Sequence, residues 1–341
     1  MTHPLRIVAI VVLTVGLLVF FFSGVNLGEV WSEMRGGHPG FLLLTSLMTA
    51  LLYLLRAWRW RLLLRPIGQV RYGIALRATI IGFGLSAMLP ARPGEVARAY
   101  VLARRVGFSA TSTFATIILE RLLDLITVLL LLGAFLTLFD PGLEHVDARM
   151  LAAVKLGATV SGVGSLVALW AAFTVAGRPG ALDWILRPVS RLLPRRAAEI
   201  VDGLATKVAS GFSVVRQPGV LVGALAVSVI LWLTIALGAW AAVSAYRLAV
   251  PFTGTFLLLA LLLVGVAVPT PGAVGGFHAA FQLGLTAFYA APPDRAAAAA
   301  IVFHAISFVP VALAGLVLMA QEGVTFASIR HAAAGKKGEG S

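Results

Sequence analysis

The sequence contains no cysteine and few charged residues. None of its 341 residues is a cysteine, which excludes disulfide bonds, a thiolate nucleophile and a cysteine-ligated metal site. Charged residues make up only 12%, against roughly 25% in an ordinary soluble domain. With 60% hydrophobic residues, a soluble fold could not bury its apolar surface. We therefore predict an all-α integral membrane protein.

Familiar catalytic motifs are also missing. The sequence has no Walker loop, no His-Glu-x-x-His motif, no Gly-x-Ser-x-Gly motif and no Asp-x-Asp pair in a charged loop. We therefore expect a protein that is not an enzyme and that uses no cofactor. His278 and His304 have no second histidine or carboxylate at ligand spacing, so we interpret both as hydrogen-bonded core or pore residues and expect no metal site.

Apolar segments recur along the whole chain. Several approach the roughly 20 residues needed to cross a hydrocarbon core of about 30 Å. The first, residues 7–22, is not followed by a small-residue cleavage site, and we interpret it as a retained helix rather than a signal peptide. We predict a transmembrane domain over residues 1–322 and a disordered basic cytoplasmic tail over residues 323–341.

The formal net charge of +13 points to membrane lipids rather than nucleic acid. The basic residues stand beside apolar segments, interleaved with Trp and Leu, which favours anionic headgroups as the partner. Trp58 and Trp60 alternate with Arg56, Arg59 and Arg61 at the end of the second predicted helix. This arrangement is typical of an interfacial anchor.

The distribution of arginine and lysine assigns the sides of the membrane, because short loops rich in them stay cytoplasmic. The arginines that follow a predicted helix over about 41–55 are placed inside. An acidic loop around 140–149 is placed outside, and the long basic loop 176–217 is placed inside. Apolar residues at helical spacing in that loop allow amphipathic helices on the inner leaflet or a solvated connector. We predict a multi-pass protein of the cytoplasmic (inner) membrane with both termini cytoplasmic.

Two short apolar segments do not fit a chain in which every apolar segment crosses the membrane and successive loops lie on opposite sides. Residues 75–89 start from an inside loop and precede arginines that should also lie inside, namely Arg92, Arg98, Arg104 and Arg105. A re-entrant hairpin fits this charge pattern better than a full crossing. A second break of the same kind lies at Pro269-Thr270-Pro271-Gly272, between the short apolar segments 256–268 and 273–291. We predict about six full transmembrane helices plus two re-entrant broken-helix hairpins, with two Pro-kinked continuous helices as the alternative.

The two breaks resemble each other. Residues 82–95 and 265–276 each contain an apolar half-helix that ends in prolines and glycine, and a complete helix follows, over 115–139 and 297–320. By the charge assignment the two units cross the membrane in opposite directions, as inverted-topology repeats do. Irregular backbone at membrane depth needs protein or a water-filled cavity around it. The breaks therefore predict a possible inverted repeat with a central cavity.

Three charged residues interrupt the apolar helix over 115–139. Glu120 and Asp124 are four residues apart and share a helix face, and Arg121 is close enough to pair with Asp124. Ionic side chains at this depth cost a few kcal/mol each on insertion scales. We interpret the trio either as a salt-bridged clamp to residues 90–98 or as a headgroup site in which Arg121 contacts phosphate.

The exit of the first hairpin supplies the other half of such a site. Gly94 lets the backbone approach a ligand, and the amides that open the next helix attract anions. Arg92 and Arg98 are suited to bidentate contacts with phosphate oxygens, and Glu95 to an ion pair with Arg121.

These residues carry a resemblance to a known family. The stretches LPARPGEVARAYVLARRVGFS and ATIILERLLDL, with the later PTPGAVGG, resemble the lysylphosphatidylglycerol synthase transmembrane family, also described as flippase-like membrane proteins. The resemblance extends from about residue 5 to residue 322. It implies movement of a lipid between leaflets. Full-length synthases add a soluble aminoacyltransferase domain, which we expect to be missing here.

The resemblance also implies site residues. The family's polar positions fall on Arg92, Gly94, Glu95, Arg98, Glu120, Arg121, Asp124, Pro271 and Gly272, and we add Gly275 and His278 as candidate substrate-binding residues. We therefore predict a flippase-like transporter of a phospholipid or lipid-linked headgroup. One alternative is a membrane-embedded lipid or sugar transferase with Glu95 or Glu120 as general base. Another is a noncatalytic partner of an envelope-lipid biosynthetic enzyme, which would dock through residues 178–216.

Overall fold

The computed structural model of the chain describes residues 3–90, 93–139, 146–175 and 212–323. Within these ranges the regular secondary structure is helical, with short 3-10 turns at Phe212–Arg216, Phe252–Gly254 and Pro271–Ala273. The α-helices are α1 His3–Phe22, α2 Leu27–Arg35, α3 Pro39–Leu64, α4 Tyr72–Met88, α5 Gly94–Val106, α6 Ala110–Leu138, α7 Ala148–Val175, α8 Pro218–Ala245, α9 Thr255–Ala267, α10 Gly276–Tyr289 and α11 Pro293–Gln321. The predicted all-α membrane fold is confirmed.

Five of the described helices are suited to cross a membrane, which makes six spans if one bent pair is counted as a span. In the described ranges α3, α6, α7, α8 and α11 are each long and apolar enough to cross a bilayer, and α1 with α2 passes the same test as a pair bent by 79°. The expectation of about six full spans agrees with this. The amphipathic segments predicted in the basic loop, up to residue 211, and the tail from residue 324 lie outside the described residues.

Helix α3 is longer than the sequence pattern indicates. It continues past residue 55 to Leu64 and therefore contains Arg56, Arg59 and Arg61. Arginine is a good helix former, so a helix does not have to stop where its apolar run stops. Trp60 is fully buried, and its interpretation as an interfacial anchor is wrong. Trp58 is 45% exposed, as an anchor facing lipid would be.

Hairpin 1, formed by α4 and α5, enters and leaves on the same face of the molecule. Glu322, which follows α11, lies 3.3 Å from Arg77 near the start of α4. The same carboxylate accepts a hydrogen bond of 2.6 Å from Nε of Arg105 near the end of α5. One side chain can reach both arginines only because the two open ends of the hairpin lie side by side. Hairpin 1 is therefore re-entrant.

Hairpin 2, formed by α9 and α10, closes in the same way. The hydroxyl of Tyr289 at the end of α10 donates a 3.1 Å hydrogen bond to the carbonyl of Gly254, directly before α9. In both hairpins the first half-helix ends where a proline follows: Leu89 and Val268 have extended dihedrals. The ring of a following proline disfavours the helical conformation at that residue. The prediction of two re-entrant hairpins is confirmed.

Each hairpin is held together by a close approach of two glycines. Gly82 in α4 packs against the carbonyl of Gly94 in α5, and Gly265 in α9 packs against the carbonyl of Gly276 in α10. A β carbon at Gly82 would lie 2.7 Å from the Gly94 oxygen, which is too close for any side chain. The shared contact supports the correspondence between residues 82–95 and 265–276.

Helices α3 and α8 pack side by side in opposite directions. The amide of His38 at the start of α3 donates a 2.9 Å hydrogen bond to the carbonyl of Ala245 at the end of α8. At the other end, Leu63 and Ala224 belong to one buried cluster. Each helix opens a unit of helix, hairpin and helix, α3–α6 and α8–α11. Opposed directions of two such units are the arrangement expected of an inverted repeat.

Replacing Gly82 or Gly265 by valine should loosen its hairpin, because the new side chain would collide with backbone atoms that no rotamer change can move. We expect a loss of about 1–3 kcal/mol in stability, measured as a lower melting temperature in detergent. Gly133→Val in α6 is the control, since open space surrounds Gly133. Equal losses in all three variants would contradict the glycine contact.

Candidate functional site: a charged cavity between the two hairpins

A cavity of about 470 Å³ lies between the two hairpins. Residues of α3, hairpin 1 and α6 line it on one side, and residues of α8, hairpin 2 and α11 on the other. Its volume lies within the range of roughly 300–1,000 Å³ that is usual for small-molecule sites. The central cavity predicted from the two broken helices is present.

One half of the cavity carries charged side chains. These are Arg56, Glu95, Arg98, Arg121 and Asp124, and Gly94 lies beside them. All except Arg56 were predicted as site residues. Arg56 was missed because it was assigned to a loop, although its spacing of three from Arg59 on a continued helix could have placed both on the same face. Arg92, also predicted, lies outside the described residues.

Next to this charged half, Arg59 of α3 forms ion pairs with two buried carboxylates. Its Nη2 lies 3.2 Å from Oε1 of Glu120, and its Nη1 lies 2.6 Å from Oδ1 of Asp124. The same Nη1 donates a 2.9 Å hydrogen bond to the hydroxyl of Ser228 in α8. Arg59 and Glu120 are fully buried, where an unpaired ion would cost several kcal/mol. The network therefore links α3, α6 and α8 through mutually neutralising charges.

Arg98 connects hairpin 1 to this network. Its Nη1 lies 2.6 Å from Oε2 of Glu120, so that both oxygens of this carboxylate are held by arginines. The Arg98 guanidinium lies 3.7 Å from the ring centre of the buried Trp60, whose indole N–H donates a 3.0 Å hydrogen bond to Thr116. Glu120 thus has the clamp role that was one of its two predicted interpretations.

Arg121 lies at the border of the cavity. It is 3.3 Å from Oδ2 of Asp124 and 3.6 Å from Oε1 of Glu95, the two partners predicted from the sequence. Its side chain is 31% exposed, whereas Asp124 is almost completely buried. Arg121 is therefore the member of the trio that a ligand in the cavity reaches first.

The cavity arginines retain buried N–H groups without an acceptor. Within the described ranges these are Nε and Nη1 of Arg56, Nε and Nη2 of Arg98, and Nε and Nη2 of Arg121. Arg56 has no carboxylate partner there and lies over the ring of Phe83 at 4.1 Å. Buried donors without acceptors are rare and costly in native proteins. Clustered guanidinium donors match the chemistry of an anion such as phosphate, whose oxygens accept several such bonds.

The other half of the cavity is mainly apolar. Hairpin 2 and α11 contribute Leu259, Leu262, Leu263, Val266, Phe277, Phe303 and Phe308. Trp232 of α8 also lines the cavity, and its indole N–H donates a 3.0 Å hydrogen bond to Oδ1 of Asp124 in the charged half. The cavity as a whole is therefore amphipathic.

The residues predicted at the second break shape the tip of hairpin 2. Gly272 and Gly275 have positive φ angles of 58° and 86°, which favour glycine. His304 donates from Nε2 to the Gly272 carbonyl at 2.8 Å, and His278 accepts at Nδ1 from the Gly275 amide at 3.3 Å. Both histidines are thus hydrogen-bonded core residues, as predicted, but their closeness, 4.5 Å between ring centres, was not foreseen.

Pro271, Gly272, Gly275 and His278 do not border the charged cavity; their neighbours Thr270, Ala273 and Phe277 do. A role of those four in substrate binding stays a prediction.

The sequence matches the family described as lysylphosphatidylglycerol synthase TM region over residues 6–315. The chain belongs to this family. It is also similar to Glycosyltransferase AglD of Haloferax volcanii, with 26% identity over 328 residues that cover 89% of this chain and 52% of that protein. The chain therefore spans about half the length of this curated relative. The resemblance based on the Pro-Gly-Glu and Glu-Arg-x-x-Asp motifs is confirmed.

Arg59→Met should destabilise the protein strongly, because it leaves Glu120 with one partner fewer and Asp124 without its shortest contact. Breaking a buried ion pair in this way costs about 3–5 kcal/mol, and we expect a correspondingly lower melting temperature in detergent.

Arg77→Met is the matched control, since it removes an ion pair whose arginine side chain is 50% exposed. Such surface pairs contribute about 0–1 kcal/mol. Similar melting temperatures for the two variants would contradict a structural role for the buried network.

Proposed function

We propose that the protein is a flippase-like transporter that moves an anionic phospholipid or lipid-linked headgroup between the leaflets of the membrane. The observation that carries this proposal is the set of buried donors of Arg56, Arg98 and Arg121, clustered in a cavity whose other half is apolar. Phosphate and hydrocarbon occur together in lipids, so the two halves of the cavity suit the two parts of one molecule. Membership of the family supports the same function.

The cavity arginines lower the barrier to transport by replacing the water that a phosphate loses inside the membrane. Four guanidinium groups, Arg56, Arg59, Arg98 and Arg121, face three carboxylates, Glu95, Glu120 and Asp124, in this part of the described structure. The excess of one positive charge attracts an anionic headgroup. Because Arg121 is shared between Glu95 and Asp124, it can exchange a carboxylate for a phosphate without leaving a buried charge unpaired.

The ion pairs also bear on the driving force. Glu120 and Asp124 are buried acids that could carry protons, but both are paired with arginines. Paired carboxylates favour a lipid gradient over proton coupling as the source of energy.

Orientation in the membrane follows from charge as part of this proposal. The ends of α3 and α5 and the start of α4 carry Arg65, Arg71, Arg77, Arg104 and Arg105 on the face marked by Glu322. By the positive-inside rule this face is the cytoplasmic one in our proposal, and we keep the cytoplasmic termini and the inner membrane as parts of the same proposal.

A second candidate function is favoured by the name of the relative. AglD is named a glycosyltransferase, and this chain matches about half of it. The cavity would then hold a lipid-linked sugar or phosphate for a catalytic partner. Glu95 borders the cavity and is available to a ligand, whereas the complete burial of Glu120 makes it a poor general base.

Arg56→Met should reduce transport about 10–100-fold, the effect of losing one or two charge-assisted hydrogen bonds to phosphate. Since Arg56 has no carboxylate partner in the described structure, its removal leaves no unpaired acid, and the melting temperature should stay equal or rise. The measurement follows a fluorescent anionic lipid across the membrane of liposomes that contain the purified protein alone.

Arg65→Met is the control: Arg65 lies on the exposed end of the same helix and should be dispensable. Transfer no faster than in protein-free liposomes, for several anionic lipids, would contradict the transporter and favour the second candidate. Equal transport by wild type and Arg56→Met would show that Arg56 does not bind the transported lipid.

A further inference from the structure

The two units correspond residue by residue around the cavity. Helices α6 and α11 both have 29 residues, and Arg121 and His304 are both the twelfth. By the same count Asp124 corresponds to Ser307, which also borders the cavity. The buried acid one residue before Arg121 corresponds to Phe303. Charged positions of the first unit are thus uncharged in the second.

The hairpins obey the same correspondence. Gly82 packs against the β carbon of Arg98, the fifth residue of α5, and Gly265 packs against the β carbon of Ala280, the fifth residue of α10. The second residue of α5 is Glu95 and that of α10 is Phe277, and both border the cavity. One scaffold, used twice, therefore presents charges on one side of the cavity and aromatic rings on the other.

Thr270 is a buried polar residue in the mainly apolar half. It is the residue between the two prolines of the hairpin 2 tip, it borders the cavity, and it is 4% exposed. Its hydroxyl has no hydrogen-bond partner in the part of the chain that the structure describes. A threonine hydroxyl can donate one hydrogen bond, and buried hydroxyls normally do so. The cavity therefore offers guanidinium donors from one unit and, from the other, a buried hydroxyl donor without a partner in the described ranges.

We propose that Thr270 is a specificity-determining residue. This inference rests on the proposed function, which supplies the lipid ligand. The Thr270 hydroxyl donates to a glycerol or carboxyl-ester oxygen of the bound lipid, beyond the phosphoester and before the hydrocarbon chains. The phosphate binds Arg56, Arg98 and Arg121, and the first part of the chains packs against the phenylalanines of the apolar half. The site thereby selects lipids with such a carboxyl-ester or glycerol oxygen over alkyl phosphates, in which the hydrocarbon chain begins at the phosphoester oxygen.

The test compares three ligands that share a phosphate group. Phosphatidic acid has glycerol and ester oxygens next to its phosphate, oleyl phosphate has hydrocarbon there, and inorganic phosphate has neither. Binding to the purified full chain in detergent is measured by native mass spectrometry for the lipids, with inorganic phosphate added as competitor. Wild type should bind phosphatidic acid most tightly, and inorganic phosphate should not displace it at equal concentration.

Thr270→Val keeps the shape of the side chain and removes the donor. It should weaken binding of phosphatidic acid about 3–10-fold, the effect of one neutral hydrogen bond, and leave oleyl phosphate unchanged. Thr79→Val is the matched control, because Thr79 is also a buried hydroxyl without a partner in the described ranges but lies away from the cavity. It should change neither affinity.

Three results would overturn the role of Thr270: equal weakening of both lipids, no weakening of either, or the same effect from Thr79→Val. Displacement of lipid by inorganic phosphate at equal concentration would identify a site for soluble anions instead. Binding is measured separately from transport. If the lipids bind with the expected pattern but the protein does not move lipid in liposomes, only the proposed function is contradicted. Normal transport with no Thr270 effect on binding would contradict only this inference.

Discussion

Arg59 pairs with two carboxylates inside the membrane, and the arrangement of the cavity depends on these contacts. Without a cation between them, Glu120 and Asp124 would repel each other in surroundings of low polarity. With Arg59 in place, Glu120 can hold Arg98 of hairpin 1, and Asp124 can hold Arg121 and the indole of Trp232. The ion pairs of Arg59, Glu120 and Asp124 thus fix the charged side of the cavity. The guanidinium donors that remain without a partner in the described ranges are suited to bind an anionic ligand.

Two hairpins built on the same backbone contact frame this network. Glycines allow the half-helices to touch, and prolines end the first half-helix at the depth where the cavity begins. The closest contact is between backbone atoms of the half-helices, which leaves the residues that line the cavity free to differ between the two units. In the first unit several of those residues are charged, and in the second they are mostly aromatic or aliphatic. An amphipathic cavity follows from one scaffold used twice.

Much of the fold could be predicted because membrane insertion acts on local sequence. Apolar length, proline and the arginine pattern identify the spans and both hairpins. Helical spacing pairs Arg121 with Asp124, and opposite charge at the hairpin exit pairs it with Glu95. The role of Arg59 could not be found in this way. Its partners are more than 60 residues away along the chain, and charge near a helix end ordinarily indicates a loop. The pairing of His278 with His304 and the donor left by Thr270 likewise depend on contacts between helices.

The most direct test of the account is an experimental structure of the full chain in nanodiscs that contain an anionic phospholipid. We expect the lipid phosphate within hydrogen-bond distance of Arg56, Arg98 and Arg121, with its chains against Phe277 and Phe303. The network of Arg59, Glu120 and Asp124 should be unchanged. Lipid confined to the outer surface of the helices, with the guanidinium donors bound to water or to other parts of the chain, would contradict the central claim that this cavity is a lipid site.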